Sequence, residues 1–327
     1  MNIALVILNW NGKKLLETFL PTMVANSPDA EIVLVDNASE DNSITYVEEN
    51  FPEVTILKHA ENFGFAKGYN VALSKIKADV FCLINSDIEV TPNWLQPISK
   101  FYNENKNSGI VQPKILDYKN KDFFEYAGAA GGYIDKYGYA YCRGRVFETL
   151  EKDQNQYEST PISWASGACF FIKSTDYELL GGLDEDFFAH YEEIDLCWRA
   201  INNGVHIDYI AESTVYHVGG ATLNKVNPFK TFLNFRNSLF TLLKNLPRRK
   251  IIPIIFTRMV LDGLAGVLFL LQGKPKHVLS ILKAHVSFYR HFSLMRFKRG
   301  NYQTRNYYQT KSIVWNYYIK KQRIFKA

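Results

Sequence analysis

Six carboxylates crowd into residues 184–195: Asp184, Glu185, Asp186, Glu192, Glu193 and Asp195. Phe187, Phe188 and Tyr191 lie between them, and Trp198 follows. An acidic run on a surface is ordinarily only solvated. Here Gly181-Gly182 sets a turn just before the cluster, and the large apolar side chains among the acids call for burial. A carboxylate held against aromatic rings is partly desolvated, which raises its pKa toward the range of a general base. The stretch 163–199, SWASGACFFIKSTDYELLGGLDEDFFAHYEEIDLCWR, is therefore the chemical centre, and the rest of the chain must position it.

The first hundred residues alternate strand and helix. Apolar runs at Ile3–Leu8, Glu31–Val35, Val54–Leu57 and Val80–Ile84 read as short buried strands, and Lys13–Val24, Ser43–Asn50 and Phe65–Ile76 have helical spacing. The alternation predicts βαβ units and a parallel sheet, whose ligands bind beyond the carboxyl ends of the strands. Each strand leads into short amides, carboxylates or glycines. These are Asn9-Trp10-Asn11-Gly12, then Asp36-Asn37-Ala38-Ser39, then the run from Asn62 through Gly68 to Asn70, and finally Asn85-Ser86-Asp87. Any one of them makes an ordinary cap or turn; four on one edge make a polar crevice. Neither GxGxxG after the first strand nor GxxxxGK[ST] is present, so a dinucleotide fingerprint and a P-loop are unsupported. Asp36 is placed to accept hydrogen bonds from a ribose or base, and Asp87, with Asn85 two residues before it, offers hard oxygen ligands to a divalent ion. The parts point to a nucleotide diphosphate bound through a metal.

Residues 117–160 break the pattern with many glycines and tyrosines, which predicts an ordered loop or short hairpins over the site. Arg143 and Arg145, flanking Gly144, are either in surface salt bridges or phosphate contacts, and with Trp164 they are the candidates for the acceptor or a phosphate. Thr214–Val218 reads as a strand with His217 near its end, a structural histidine or a partner of the metal or pyrophosphate. Cys82, Cys142, Cys169 and Cys197 are far apart in apolar settings, as free thiols of a reducing compartment would be. The apolar run at the N-terminus is short and has no basic residue before it, so it reads as a strand and not a signal peptide.

The net charge of +5 hides an asymmetry. Residues 225–327 hold 21 Lys/Arg and one acid, Asp262; residues 1–224 hold 17 Lys/Arg against 32 Asp/Glu. The basic end is suited to an anionic partner. Residues 251–271, IIPIIFTRMVLDGLAGVLFLL, approach the length of a membrane span, but Arg258 and Asp262 sit mid-way, four apart on one helix face. A helix lying on a membrane, or packed on the remainder of the chain, fits better. Anionic lipid is the natural partner of such a tail and nucleic acid is not, since no nucleic-acid motif is present.

The pieces LNWNG, VDNASEDNS, ENFGFAKGYNVAL, LINSDIEV, SGACFFIK, GGLDEDFFAHYEEIDLCWR and HVGGAT, in this order over residues 3–222, resemble the family 2 glycosyltransferases, in particular bacterial rhamnosyltransferase-like members. The segment GAAGGYIDKYGYAYCRGRVFE resembles a subgroup found in Bacteroides-like bacteria. The resemblance implies an α/β GT-A fold, Rossmann-like, over residues 1–224; by its composition 225–327 reads as a basic, aromatic, mainly helical, membrane-associating extension. It implies inverting transfer from a nucleotide-diphosphate sugar, dTDP-rhamnose or a UDP-sugar, to a glycan or lipid-linked oligosaccharide. Such an enzyme would work in the cytoplasm, peripheral on the inner face of the cell membrane.

By the same resemblance Asp36, Asn9, Asn11, Asn62, Gly68, Asn70 and Asn85 belong to the donor site. Asp87, with His217, holds Mg²⁺ or Mn²⁺. The family's Glu-Asp pair is Glu192-Glu193 here, which puts Glu193 at the base position; the longer side chain leaves Glu192 and Asp195 as alternatives. Thr222 is the nearest equivalent of a serine that follows the family's histidine. Two other functions compete: a nucleotidyltransferase, which would want a Gly- and Lys-rich loop after the first strand, and a non-catalytic sugar- or membrane-binding module that kept the fold.

Overall fold

The computed structural model describes residues 1–219 and 227–326. Strands β1 (Ile3–Asn9), β2 (Ala30–Asp36), β3 (Thr55–Lys58) and β4 (Val80–Asn85) alternate with helices α1 (Lys13–Asn26), α2 (Ser43–Asn50) and α3 (Gly64–Leu73). Then come β5 (Ile88–Val90), α4 (Leu95–Glu104) and the long β6 (Ser108–Asp117). Four short strands follow, β7 (Gly132–Ile134), β8 (Ala140–Cys142), β9 (Arg145–Val146) and β10 (Thr149–Leu150), and next β11 (Thr160–Pro161) and β12 (Cys169–Lys173). Helices α5 (Ser174–Leu179) and α6 (Glu192–Asn202) precede the last strand, β13 (His206–His217).

The main sheet runs β11-β13-β6-β12-β4-β1-β2-β3, with β5 paired to β13. Its N-terminal half is parallel, as the βαβ pattern predicts: β1 pairs with β2 and β4, and β2 with β3. The other half is mixed, because β12 lies antiparallel between β4 and β6. Alternate residues of one strand feed two cores. Ala4, Val6, Val33 and Val35 face one side, and Ile3, Leu5, Ile7, Ile32 and Leu34 the other. Burial of both faces is why these strands read as unbroken apolar runs. Segment 117–160 forms short hairpins, β7 to β10 making a separate antiparallel sheet.

The C-terminal part is helical: α7 (Pro228–Asn245), α8 (Ile251–Leu271), α9 (Pro275–Arg290), α10 (Phe292–Phe297) and α11 (Ile313–Tyr318). Asn227 caps α7 by accepting from the Phe229 amide, with Pro228 at the first helical position. Leu239, Phe240, Leu243, Ile254 and Phe288 pack in the same core as Val6 and Val35, so these helices extend one face of the sheet. Trp198 of α6 stacks on Tyr307 at 5.0 Å. All four cysteines are buried, and Cys82 Sγ lies 4.0 Å from Cys169 Sγ on the neighbouring strand.

Candidate active site

The parallel strands end in register: Asn9 is paired with Asp36, and Leu8 with Asn85. The predicted polar edge therefore forms, and its side chains brace one another. Asn9 Nδ2 donates to Ser39 Oγ (3.2 Å) and Ser43 Oγ (3.0 Å), while its buried Oδ1 has no partner among the described residues. This Oδ1 lies where a Cβ on Gly12 would come within 2.3 Å, so a larger residue at 12 would push the Asn9 side chain aside. Asn11, in the left-handed region at φ 52°, accepts from the amides of Glu40 (2.7 Å) and Asp41 (3.3 Å). Asp36 is buried and accepts from the Ser39 amide at 3.2 Å. Asn62 Oδ1 accepts from Asn37 Nδ2 and from the Gly64 amide, both at 2.9 Å, which ties the start of α3 to the end of β2.

Two predicted donor residues are committed elsewhere. Asn70 Nδ2 donates to the Leu183 carbonyl (2.9 Å) and Glu185 Oε1 (3.1 Å), and its Oδ1 accepts from Tyr177 (2.6 Å) and the Leu183 amide (3.0 Å). Gly68 serves packing: a Cβ there would lie 3.1 Å from Leu8 Cδ1. Asn70 thus joins α3 to the turn before the acidic cluster instead of facing a ligand.

His217, the last residue of β13, places Nε2 3.2 Å from Asp87 Oδ1 and Nδ1 3.4 Å from Glu125 Oε1. All three are buried. Burial alone would depress the imidazole, but the two carboxylates outweigh it and push His217 up to about 10. No local motif marks Glu125, which sits between β6 and β7 in the glycine-rich segment. No cluster of three or more His, Cys, Asp or Glu able to hold a metal occurs among the described residues. With both ring nitrogens against carboxylates, His217 could join Asp87 on a divalent ion only by giving up its Nε2 proton to the ion's arrival, the other ligands coming from a diphosphate and water. Thr222 lies outside the described residues.

The acidic cluster divides by partner. Lys244 Nζ of α7 reaches Asp184 Oδ2 at 2.5 Å and Asp195 Oδ2 at 2.6 Å. Lys298 reaches Asp184 Oδ1 at 2.5 Å and Asp186 Oδ2 at 2.6 Å. Asp195 is fully buried and also holds Arg199 (2.8 Å) and Asn245 (2.8 Å). Burial works against ionisation of Asp184 and Asp195, yet Lys244 with Lys298 holds Asp184 down at about 2, and Lys244 with Arg199 holds Asp195 below the usual carboxylate range. With both oxygens engaged, Asp195 is an anchor and not a base, contrary to its place among the alternatives.

Glu192 and Glu193 have no cation within ion-pair distance among the described residues, and each keeps a buried Oε2 without a hydrogen bond. Burial, with the neighbouring Glu193 charge, drives Glu192 well above the carboxylate range. Burial lifts Glu193 to about 7, against the pull of backbone amides at the start of α6. Glu193 lies against Gly167, where a Cβ would be 3.7 Å from its side chain, and the next residue, Ala168, accepts from the Asn85 amide at 2.9 Å. That short chain of contacts brings Glu193 beside the Asn85–Asp87 edge.

The loop delivering Glu192 and Glu193 has an unusual backbone: Phe188, His190 and Tyr191 have φ of 65°, 66° and 73°. Asn237 of α7 holds it, donating Nδ2 to the carbonyls of Phe187 (2.9 Å), Ala189 (2.9 Å) and His190 (2.7 Å). Arg236 Nη2 adds bonds to the Asp186 and Phe187 carbonyls. The arginines expected at a phosphate are internal. Arg143 donates to the carbonyls of Ala130 and Glu158 and lies 4.7 Å from the Tyr209 ring centre. Arg145 donates to Cys142 Sγ and lies over Tyr126. Both are buried, so neither is in a surface salt bridge. Trp164 is buried too, its indole donating to the Tyr133 carbonyl.

The half-parallel sheet with its polar edge and the carboxylate–histidine pair on that edge place the chain in the GT-A fold class. The chain belongs to glycosyl transferase family 2, whose family model matches residues 4–181. It is similar to N-acetylglucosaminyl-diphospho-decaprenol L-rhamnosyltransferase of Mycobacterium tuberculosis, 22% identical over 221 residues, 62% of this chain and 71% of that one. It is also similar to dTDP-rhamnosyl transferase RfbF of Shigella flexneri, 21% identical over 301 residues, 86% of this chain and 94% of that one. Among solved structures, GalNAc-T7 with UDP, GalNAc and Mn²⁺ superposes with a TM-score of 0.61 at 15% identity over 76% of this chain and 49% of its own, about half its length. Membership of this family does not favour the nucleotidyltransferase or the non-catalytic reading.

Proposed function

We propose that this enzyme moves a sugar, with inversion, from a nucleotide-diphosphate donor to a hydroxyl of a lipid-linked or glycan acceptor during synthesis of a cell-surface polysaccharide. The observation that carries the assignment is the division of the acidic cluster: four of its six carboxylates are bonded within the protein, and Glu192 and Glu193 are left. Glu193, lifted to about 7, takes the proton of the acceptor hydroxyl. The acceptor oxygen then bonds to the anomeric carbon from the face opposite the diphosphate, and the bond to the diphosphate breaks with its electron pair leaving on the diphosphate. Glu192, kept protonated by burial, spares Glu193 an adjacent charge.

Asp87 would hold Mg²⁺ or Mn²⁺, joined by His217 once the ion displaces the proton on its Nε2, with Glu125 fixing the imidazole from behind. When bound, such an ion neutralises charge gathering on the leaving diphosphate. Asp36, with Asn9, Asn11 and Asn62 bracing the strand ends, would receive the base and ribose. The names of the relatives favour dTDP-rhamnose as donor and a lipid-linked diphosphate sugar as acceptor. In this reading residues 1–224 carry the chemistry, 225–327 carry the contact with an anionic membrane, and the enzyme is peripheral on the cytoplasmic face. Titration calorimetry with UDP, dTDP and GDP, each with and without Mn²⁺, tests the donor site. Tight binding of one nucleotide only with metal is expected. Failure of all three to bind would overturn the assignment.

A further inference from the structure

Helix α8 is amphipathic in reverse. Its inward face holds Arg258 and Asp262, 3% and 0% exposed, with Arg258 Nε 3.6 Å from Asp262 Oδ1. Arg258 donates to the Tyr137 carbonyl (3.0 Å) and Ser238 Oγ (2.9 Å) and lies 3.8 Å from the Tyr139 ring centre. His285 of α9 meets Asp262 Oδ2 at 3.1 Å. Outward, every exposed residue of α8 is Ile, Phe, Val, Leu, Pro or Gly. Ile252, Phe256, Val260, Leu264, Val267 and Leu271 run along that face, between 51% and 81% exposed. Exposed cations close both ends: Arg248 and Arg249 just before the helix, Lys274 and Lys276 just after it.

We propose that this face is buried in the headgroup–acyl boundary of an anionic lipid bilayer, with α8 in the plane of the membrane and the four terminal cations at lipid phosphates. The proposal rests on the membrane-bound reading above and replaces adhesion by charge alone with insertion. A soluble protein seldom leaves so continuous an apolar face in water. The helix is long and apolar enough to span a membrane. A span, however, would strip Arg258 and Asp262 from Tyr137, Ser238 and His285 and carry them into hydrocarbon, where unpaired charge is costly. A second copy is a poor occupant. Two such faces paired head to tail set Arg248 and Arg249 against Lys274 and Lys276, and the one acid in 225–327, Asp262, is buried on the other side. Lipid phosphate supplies the missing countercharge.

The test uses the full chain with a Leu264→Cys substitution labelled by an NBD fluorophore; the native cysteines are buried and stay unlabelled. On vesicles of phosphatidylcholine with phosphatidylglycerol, the emission at 264 should shift to the blue, whereas the same label in Glu49→Cys, on exposed α2, should not move. Leu264→Glu and Val260→Glu should each cut vesicle binding roughly tenfold to a hundredfold, the effect of losing one inserted apolar side chain, with nucleotide binding unchanged. Flotation of the protein without a blue shift at 264 would mean contact through basic residues only and would overturn insertion. A dimer in solution that Leu264→Glu splits, or wild-type protein that binds no vesicles, would overturn it as well. Insertion without binding of any nucleotide would remove the transferase reading of the site and leave this face as proposed.

Discussion

The side-chain amide of Asn237 donates to the carbonyl of His190 at 2.7 Å, two residues before Glu192. A helix from the C-terminal part thereby shapes the loop that delivers the proposed base. The three left-handed residues of that loop are L-residues in a costly conformation, which persists only where the surroundings hold it. Asn237→Asp preserves size but turns donors into acceptors facing three carbonyls. It should lower kcat by more than tenfold while leaving the nucleotide Kd within about threefold, because Asp36 and Asp87 lie on other elements. Steady-state kinetics with calorimetry would show it, and an equal loss in both quantities would mean that the loop is not coupled to the base.

Glu193→Gln removes the base and keeps the shape. Transfer should fall by about 10²–10⁴-fold, the usual worth of general-base assistance, with nucleotide binding retained. The wild-type pH profile should carry the same signature. Because burial raises Glu193 to about 7, the ionised base is lost as pH falls through 7, and kcat/KM should drop about tenfold per pH unit below that point. A flat profile from pH 5 to 8 would exclude Glu193.

Asp87→Ala should abolish the effect of Mn²⁺ on nucleotide binding. Glu125→Gln, acting only through His217, should weaken Mn²⁺ affinity by about 10–100-fold, the usual range for an outer partner of a metal-binding histidine. Mn²⁺ titration followed by electron paramagnetic resonance in the presence of nucleotide reads both without turnover. Unchanged affinity in Glu125→Gln would make Glu125 a packing residue.

Lys244→Met should be the most damaging of these substitutions to stability. It leaves Asp184 and Asp195 buried without their shared cation, a loss of about 3–5 kcal/mol for a broken buried pair. The pH dependence follows from Asp184, held at about 2 in the folded protein against 3.8 for a free aspartate. Its contribution is complete above pH 3.8 and is lost as pH falls toward 2. The midpoint of urea unfolding should decline over that window in the wild type and less steeply in the variant.

The chain alone determined a good deal. Asn9, Asp36 and Asn85 could be placed on one edge because βαβ alternation sends every parallel strand the same way, so strand ends converge whatever the loops do. The expected hairpins of 117–160 follow from glycines and turn residues, which act locally. By residue type the six acids are equals, and only the family resemblance sets Glu193 apart as the base. Only the tertiary structure showed which acids the protein neutralises itself, because, apart from Arg199 four residues from Asp195, the cations that pair with Asp184, Asp186 and Asp195 are Lys244 and Lys298, 49 to 114 residues away. Part of the basic tail is thus the internal countercharge of the acidic half, which net charge by segment cannot reveal. Asn70, Gly68, Arg143 and Arg145 were assigned by residue type to ligands, and the fold spent them on its own carbonyls, packing and rings. Glu125 and Asn237 carried no local signal, since a side chain's partner across the fold leaves no mark on its neighbours in sequence. In α8 the spacing of Arg258 and Asp262 fixed that they share a face, while packing against Tyr137 and Ser238 decided that this face is the inside and the apolar one the surface.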